Sequence, residues 1–408
     1  MKNVLVGQSG GPTAVINSSL YGVISEALAH TSDVDVVYGL INGIEGIFED
    51  RIINLSDDMT PEERELLLTT PGAFLGSCRY KLPADADDPV YARIFEKFAA
   101  WEIAYFFYIG GNDSMDTVHK LSAYAERIGS PVRILGLPKT VDNDLVHTDH
   151  TPGFGSAAKF VAASVREICI DASVYTKPAV TIVEIMGRHA GWLTAASALA
   201  RQFEGDNPLL IYLPETPFSL SDFTARIRQC LKQQSAVVVC ISEGIKDAHG
   251  TFICEYGQEA APLDTFGHKK LSGAGKFLEE HLINTLGIKA RSVEFNVSQR
   301  ASSIYQSKTD VDEAVVSGRF AVEQALAGGA TGMMVGFTRL SDEPYRITCH
   351  LHPAAEICNR EQTVPIDWIC SDGTDVTEEM LRYLSPLIQG ETETPMENGV
   401  PKFVYRRF

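Results

Sequence analysis

"VRILGLPKTVDND" (Val132–Asp144) runs from a short apolar stretch straight into Lys139, Thr140, Asp142 and Asp144. The apolar part reads as a buried strand. Beyond it stand two carboxylates, a hydroxyl and an ammonium within six residues. Asp and Asn favour turns and helix caps, but this is more charge than one cap requires. In sheets covered by helices, ligands collect beyond the carboxyl ends of the strands. The stretch therefore points to an α/β fold with its chemistry at a strand end.

Similar apolar runs recur on both sides: Asn3–Gly7, Val34–Leu40, Ala104–Gly111, Ala179–Gly187, Pro208–Pro214, Ala236–Gly244 and Gly332–Thr338. They lack strict polar alternation, as strands covered on both faces do. Helical patterns lie between them. The clearest places Ala157, Phe160, Val161, Ser164, Val165 and Ile168 on one stripe, with Ser156 as its cap. Alternating strands and helices predict mostly parallel sheets. The number of runs suits two α/β domains in a chain of 408 residues.

Composition narrows the function classes. The formal net charge is −18, which repels nucleic acid and anionic membranes as general partners. No run approaches the roughly 18 apolar residues of a membrane span. "MKNVLVGQSGG" has too short an apolar run for a signal peptide. The eight cysteines form no C-x-x-C pair, which predicts reduced thiols in a cytoplasmic protein rather than a zinc site.

Four strand ends carry unusual residues. Gly10-Gly11 opens backbone N–H groups to an anion ahead of a helix. Taken alone, the pair reads first as a tight turn, and no Gly-Lys-Ser/Thr follows to make a Walker loop. Gly110-Gly111 repeats the device beside Asn112 and Asp113. Asp113 is as readily a helix cap as a ligand for a hard cation, which takes one or two carboxylates plus phosphates. After Leu137 comes the opening stretch, where a base beside a metal-bound phosphate is what phosphoryl transfer needs. After Ile185 comes "MGRHAGW", in which Arg188 suits a sugar phosphate, while Glu243 in "SEG" suits a sugar hydroxyl. Each arginine alone is more commonly a surface charge.

Together these motifs resemble the phosphofructokinase family. The order "GGPTAVIN", "GSCRY" (Gly76–Tyr80), "GGNDS", "PKTVDND", "TPGFGSAAK" (Thr151–Lys159), "VEIMGRHAG", "SEG" and "ARSVEFNVSQR" matches over about the first 340 residues. The resemblance implies two Rossmann-like three-layer αβα domains with an active-site cleft between them. Residues 1–157 plus about 297–345 would bind the phosphoryl donor, and 158–296 plus about 346–408 fructose 6-phosphate. By position, Gly11 and Arg79 would touch donor phosphates, and Asp113 would hold Mg²⁺. Asp142 would be the base for the sugar's 1-hydroxyl. Thr140, Asp144, Met186, Gly187, Arg188, Glu243, Arg291 and Arg300 would serve the sugar-phosphate side. Two of the family's arginines come from a neighbouring subunit, which implies a homodimer or homotetramer.

Some positions depart from the family's pattern. Val297 replaces an aromatic or histidine, the intersubunit arginine maps near Ala179 with Lys177 close by, and effector arginines are replaced by Tyr21 and Ser25. Members that use ATP have glycine at the positions of Asn112 and Lys139. Pyrophosphate-dependent members carry the lysine, usually with an aspartate where this chain has Asn112. The resemblance therefore implies pyrophosphate as donor, bound by Lys139 and Asn112 as well as Gly11 and Arg79. The reaction would run reversibly in glycolysis and gluconeogenesis. An ATP-dependent kinase and a non-catalytic regulatory subunit are the alternatives. A nicotinamide-dependent oxidoreductase is a weaker one, since no G-x-G-x-x-G opens the first helix.

Overall fold

The computed structural model describes residues 2–174, 176–257 and 273–405. The chain forms two units: 1–156, 300–361 and 388–408 make the first, and 157–299 and 362–387 the second. It enters the first with β1 (Asn3–Gln8), β2 (Val37–Leu40), β3 (Ile52–Asn54), β4 (Ile103–Gly110) and β5 (Arg133–Pro138). The second holds β6 (Ala179–Ile185), β7 (Leu210–Tyr212), β8 (Ala236–Ser242) and β9 (Lys289–Glu294), after which β10 (Met333–Asp342) and β11 (Tyr345–Pro353) return to the first.

In the first unit the strand order is β11-β10-β5-β4-β1-β2-β3. Within this sheet the central pairs are parallel, and the edge pairs β10–β11 and β2–β3 are antiparallel. Period-two alternation sends side chains to both faces. Val4, Val6, Phe107, Ile109, Leu135 and Leu137 pack in one core with Ile16, Leu20, Ala321 and Val322. Leu5, Phe106, Tyr108 and Ile134 pack in another with Phe98, Met115, Val118 and Leu121. The partners come from helices Ile16–Ala29 and Lys308–Ala327 on one face, and Pro89–Ala100 and Asn112–Ile128 on the other. This is a three-layer αβα unit. Strand order reverses beside β1: β2 lies on one side and β4 on the other, which opens a crevice at their carboxyl ends.

The second unit has the all-parallel order β7-β8-β6-β9. Val180, Ile182, Val237, Val239 and Ile241 pack with Phe223 and Ile227 of helix Leu220–Gln233, and with Leu278 and Leu282 of helix Ala274–Leu286.

Two local expectations change. Residues 346–361 belong to the first unit rather than the second, because β11 pairs with β10 from Tyr345 to Pro353. Residues 388–408 also join the first unit, where Val404 sits in the core and donates its N–H to Thr70 at 3.0 Å. Ser156 is not a cap but the third residue of helix Phe154–Ser173. Its N–H and that of Gly153 are taken by the buried carboxylate of Asp310, at 2.8 and 2.9 Å.

Candidate active site

Three strand ends of the first unit converge. The turn after β1 needs Gly10 at φ +75°, a left-handed conformation, and a Cβ there would come within 3.2 Å of the Lys139 Nζ. A Cβ on Gly11 would come within 3.0 Å of Arg300 Nη1. Lys139, the first residue past β5, is only 3% exposed and donates to the Gly11 carbonyl at 2.6 Å. Its backbone N–H continues the sheet onto the carbonyl of Gly110 at 3.0 Å. The lysine stem is thereby fixed across two neighbouring strand ends.

Beyond it the chain turns tightly. The Thr140 hydroxyl accepts from the Asp142 N–H at 3.1 Å and lies 3.4 Å from Asp142 Oδ2. Asn143 adopts a left-handed φ of 55°, and its side-chain oxygen accepts from the Thr151 N–H at 3.0 Å. Asp142 and Asp144 are half-buried on either side of the buried Asn143.

The electrostatics are mixed in sign and dense. Burial lowers Lys139 to about 8 against the pull of Asp142 and Asp144, with Arg300 and Arg79 adding to the fall. Burial, supported by the Asp142 charge, raises Asp144 to about 7, while Lys139 opposes. Burial also presses Arg300 below its ordinary value, and Asp142 counters this. Lys139 and Arg300 thus stand beside the Gly10-Gly11 turn in the field of the Asp142 carboxylate, and Arg79 lies within electrostatic reach of both. Arg300, expected on the sugar-phosphate side, lies in the first unit against Gly11.

Asn112 and Asp113 do not cap their helix. They are its first two residues, after the N-cap Gly111. The Asn112 amide bonds both the N–H of Asn359 and the carbonyl of Arg360, so it is tied to a neighbouring loop. Asp113 is exposed, and the Lys81 ammonium lies 3.1 Å from its Oδ1. A carboxylate open to solvent at the start of a helix, with one ammonium beside it, fits a hard cation that completes its shell with phosphate oxygens and water.

In the second unit, β6 and β8 run in register to Ile185↔Ser242, so their ends are neighbours. The Glu243 N–H donates to Ile185 O at 2.9 Å, and Ser242 Oγ donates to the Gly187 carbonyl. Gly187 has φ +144°, and a Cβ there would meet the Ala190 carbonyl at 2.6 Å, so the turn that presents Arg188 requires glycine. Met186 N–H donates to Gln299 Oε1 at 3.3 Å. Met186, Gly187, Arg188 and Glu243 therefore share one edge. Arg291 does not join them: it pairs with Thr181, well before the end of β6, and its Nη1 is 3.9 Å from Asp171.

Sequence reasoning did not single out Lys81, nor the buried pair Gln8 and Asn17. Gln8 donates to Asn17 Oδ1 at 2.9 Å and accepts from Leu75 N–H at 2.9 Å. Asn17 donates to the carbonyls of Thr70 and Gly72 at 2.8 and 2.7 Å and accepts from Phe74 N–H at 2.9 Å. Two uncharged side chains, one on β1 and one on the helix Ile16–Ala29, thus fasten the segment leading to Arg79. The only sequence signal was two amides in otherwise apolar or small surroundings.

The chain belongs to the phosphofructokinase family, whose model, described as Phosphofructokinase, matches residues 3–302. It is 43% identical over 403 residues to the pyrophosphate–fructose 6-phosphate 1-phosphotransferase of Halomonas elongata, covering 98% of this chain and 95% of that protein. A protein of the same name from Xanthomonas campestris is 41% identical over 406 residues, with 98% and 95% covered. The crystal structure of the pyrophosphate-dependent phosphofructokinase of Marinobacter aquaeolei matches with a TM-score of 0.89 at 38% identity, over 99% of this chain and 96% of that one.

Proposed function

We propose that the chain is a pyrophosphate-dependent 6-phosphofructokinase that phosphorylates the 1-hydroxyl of fructose 6-phosphate reversibly in the cytoplasm. The observation that carries the reading is Lys139, a buried ammonium held on the Gly11 carbonyl, at a position where the family resemblance implies glycine in members that use ATP. The near full-length likeness to proteins named for pyrophosphate supports it.

The chain's own residues divide the work. Gly11, Arg79, Asn112 and Lys139 bind the donor, and their cations offset a small, highly charged anion that brings no nucleoside to grip. Asp113 would hold Mg²⁺, which when bound neutralises donor charge. Asp142, turned by the Thr140 hydroxyl, takes the proton from the sugar's 1-hydroxyl. That oxygen forms a bond to the terminal phosphorus, the bridging P–O bond breaks, and the leaving phosphate carries away the electron pair. Thr140, Asp144, Met186, Gly187, Arg188 and Glu243 orient the sugar phosphate. Arg300 spans the donor and sugar roles from beside Gly11. Arg291, remote from its own unit's strand ends, is assigned to the site of a neighbouring copy in a homodimer or homotetramer.

The two units would serve donor and sugar respectively. Among the described residues, no helix is long and apolar enough to cross a membrane. The reading is tested by incubating the purified chain with Mg²⁺, fructose 6-phosphate and pyrophosphate and following ³¹P resonances. Fructose 1,6-bisphosphate and orthophosphate should appear in equal amounts. Orthophosphate without the bisphosphate would reduce the chain to a pyrophosphatase and overturn the reading.

A further inference from the structure

A second cluster of ligating side chains lies in the first unit outside the residues assigned above. His147, His352 and Glu356 bring one ligand atom each to within 4.8 Å of the others. Their rings and carboxylate are already associated: the two imidazoles stack at 3.8 Å between centroids, and His352 Nε2 lies 3.1 Å from Glu356 Oε2. Around an ion with bonds of about 2.0–2.1 Å, tetrahedral ligand atoms stand roughly 3.3 Å apart. The cluster therefore needs only a small contraction and a side-chain turn out of the stack.

The backbones beneath these side chains are fixed. The His147 carbonyl accepts from His350 Nε2 at 3.0 Å, and a Cβ on Gly336 would crowd both groups, at 2.8 and 2.7 Å. Just after it, Thr148 Oγ1 accepts from the Phe337 N–H at 2.9 Å and the Asp149 N–H donates to Phe337 O at 2.9 Å. His147 itself takes a left-handed φ of 60°, an uncommon conformation for a non-glycine residue. His352 is set by the β10–β11 ladder opposite Met334, and Glu356 by the short turn of helix Ala354–Ile357 that follows. Two ligands on regular elements and a third on a loop pinned by hydrogen bonds give the preorganisation that a metal site requires.

We propose that His147, His352 and Glu356 form a binding site for a divalent transition metal of the Zn²⁺ class. Two imidazoles and one carboxylate suit zinc, cobalt, nickel or copper, whereas Mg²⁺ prefers an all-oxygen shell. His147 and Glu356 are exposed, so the remaining coordination positions open to water. The site's position gives it a consequence. His147 lies three residues after Asp144 on the same loop, and Asn359 and Arg360, just beyond Glu356, hold the Asn112 amide. A bound ion ties the loop bearing Asp142 and Asp144 to the segment that fastens Asn112.

Calorimetric titration of the full chain with ZnCl₂ in excess Mg²⁺ tests this, with Co²⁺ absorption as a second readout of coordination. The wild type should bind one ion tightly, and Co²⁺ should develop visible bands. His147→Asn, which keeps a residue tolerant of positive φ, should weaken that binding at least about tenfold, as should Glu356→Gln. Glu356 has a side chain 54% exposed, so its replacement cannot be blamed on a lost fold. Combining His147→Asn with His352→Ala should abolish the transition. Absence of tight binding in the wild type, or binding unchanged in Glu356→Gln and the double variant, would overturn the site.

Discussion

Replacing Lys139 by methionine keeps the apolar stem and removes the ammonium at the proposed donor site. The side chain is 3% exposed, so its charge acts with little solvent screening. A single preorganised charge or donor aimed at a transferring group is worth about 10²–10³ in rate, and that is the expected loss in kcat/KM with pyrophosphate. Stability should move much less. Burial that takes Lys139 from 10.5 to about 8 costs on the order of 3 kcal/mol while the group is charged. Methionine removes that cost but leaves the Gly11 carbonyl without its donor, a loss of about 1–3 kcal/mol. The two nearly cancel, so Tm should shift by only a few degrees and the activity loss cannot be assigned to unfolding. The pH profile supplies an internal control. Lys139 loses its proton through about pH 8 in the free protein, so kcat/KM for pyrophosphate should fall on the basic side with an apparent pKa near 8. That limb should vanish from the residual activity of Lys139→Met. Steady-state rates for both proteins from pH 6 to 9.5, assayed by coupled release of phosphate, decide it. A variant within about fivefold of wild type, or one that keeps the basic limb, refutes the reasoning.

Asp142→Asn should lower kcat by about 10²–10⁴ while fructose 6-phosphate still binds by calorimetry, since the shape survives and the base does not. Arg188→Ala should raise KM for fructose 6-phosphate and leave the donor KM unchanged, a split that steady-state kinetics reads directly. His150→Gln probes the buried charge network behind the loop. Burial alone would lower His150, but Glu313 and Asp149, at 2.7 and 2.8 Å, raise it to about 9. Its folded value lies above the unfolded 6.5, so the stabilisation, on the order of 3 kcal/mol, is complete below about pH 6.5 and is lost as pH rises through 9. The Tm gap between wild type and His150→Gln should therefore be widest in mild acid and close above pH 9, as melts at several pH values would show.

The central strands were legible because their cores are apolar on both faces: β1, β4, β5, β6 and β8 fall where the apolar runs do. The strands that pattern reading missed, β3, β9 and β11, are all sheet edges. β9 reads "KARSVE" and β11 "YRITCHLHP", polar sequences that an edge tolerates because one side lacks a strand neighbour. Missing β11 is also why the domain boundary near residue 345 fell short. The charged strand ends were readable from Lys139, Asp142 and Asp113, since charge after an apolar run has few structural explanations. What escaped was contact across distance in sequence. Nothing local to Asn112 announces Asn359 and Arg360, and nothing local to Arg300 announces Gly11. Those pairings depend on the order of strands in the sheet, which a period cannot encode.

Donor preference tests the account most directly. kcat/KM for fructose 6-phosphate phosphorylation should be measured with pyrophosphate and with ATP on the wild type, on Lys139→Gly, and on Lys139→Gly combined with Asn112→Gly. The wild type should favour pyrophosphate by a wide margin, and Lys139→Gly should lose most pyrophosphate activity. The double variant, which also releases the tie to Asn359 and Arg360, should shift the ratio toward ATP. A wild type that prefers ATP, or a Lys139→Gly enzyme with its pyrophosphate activity intact, would contradict the claim that Lys139 selects the donor.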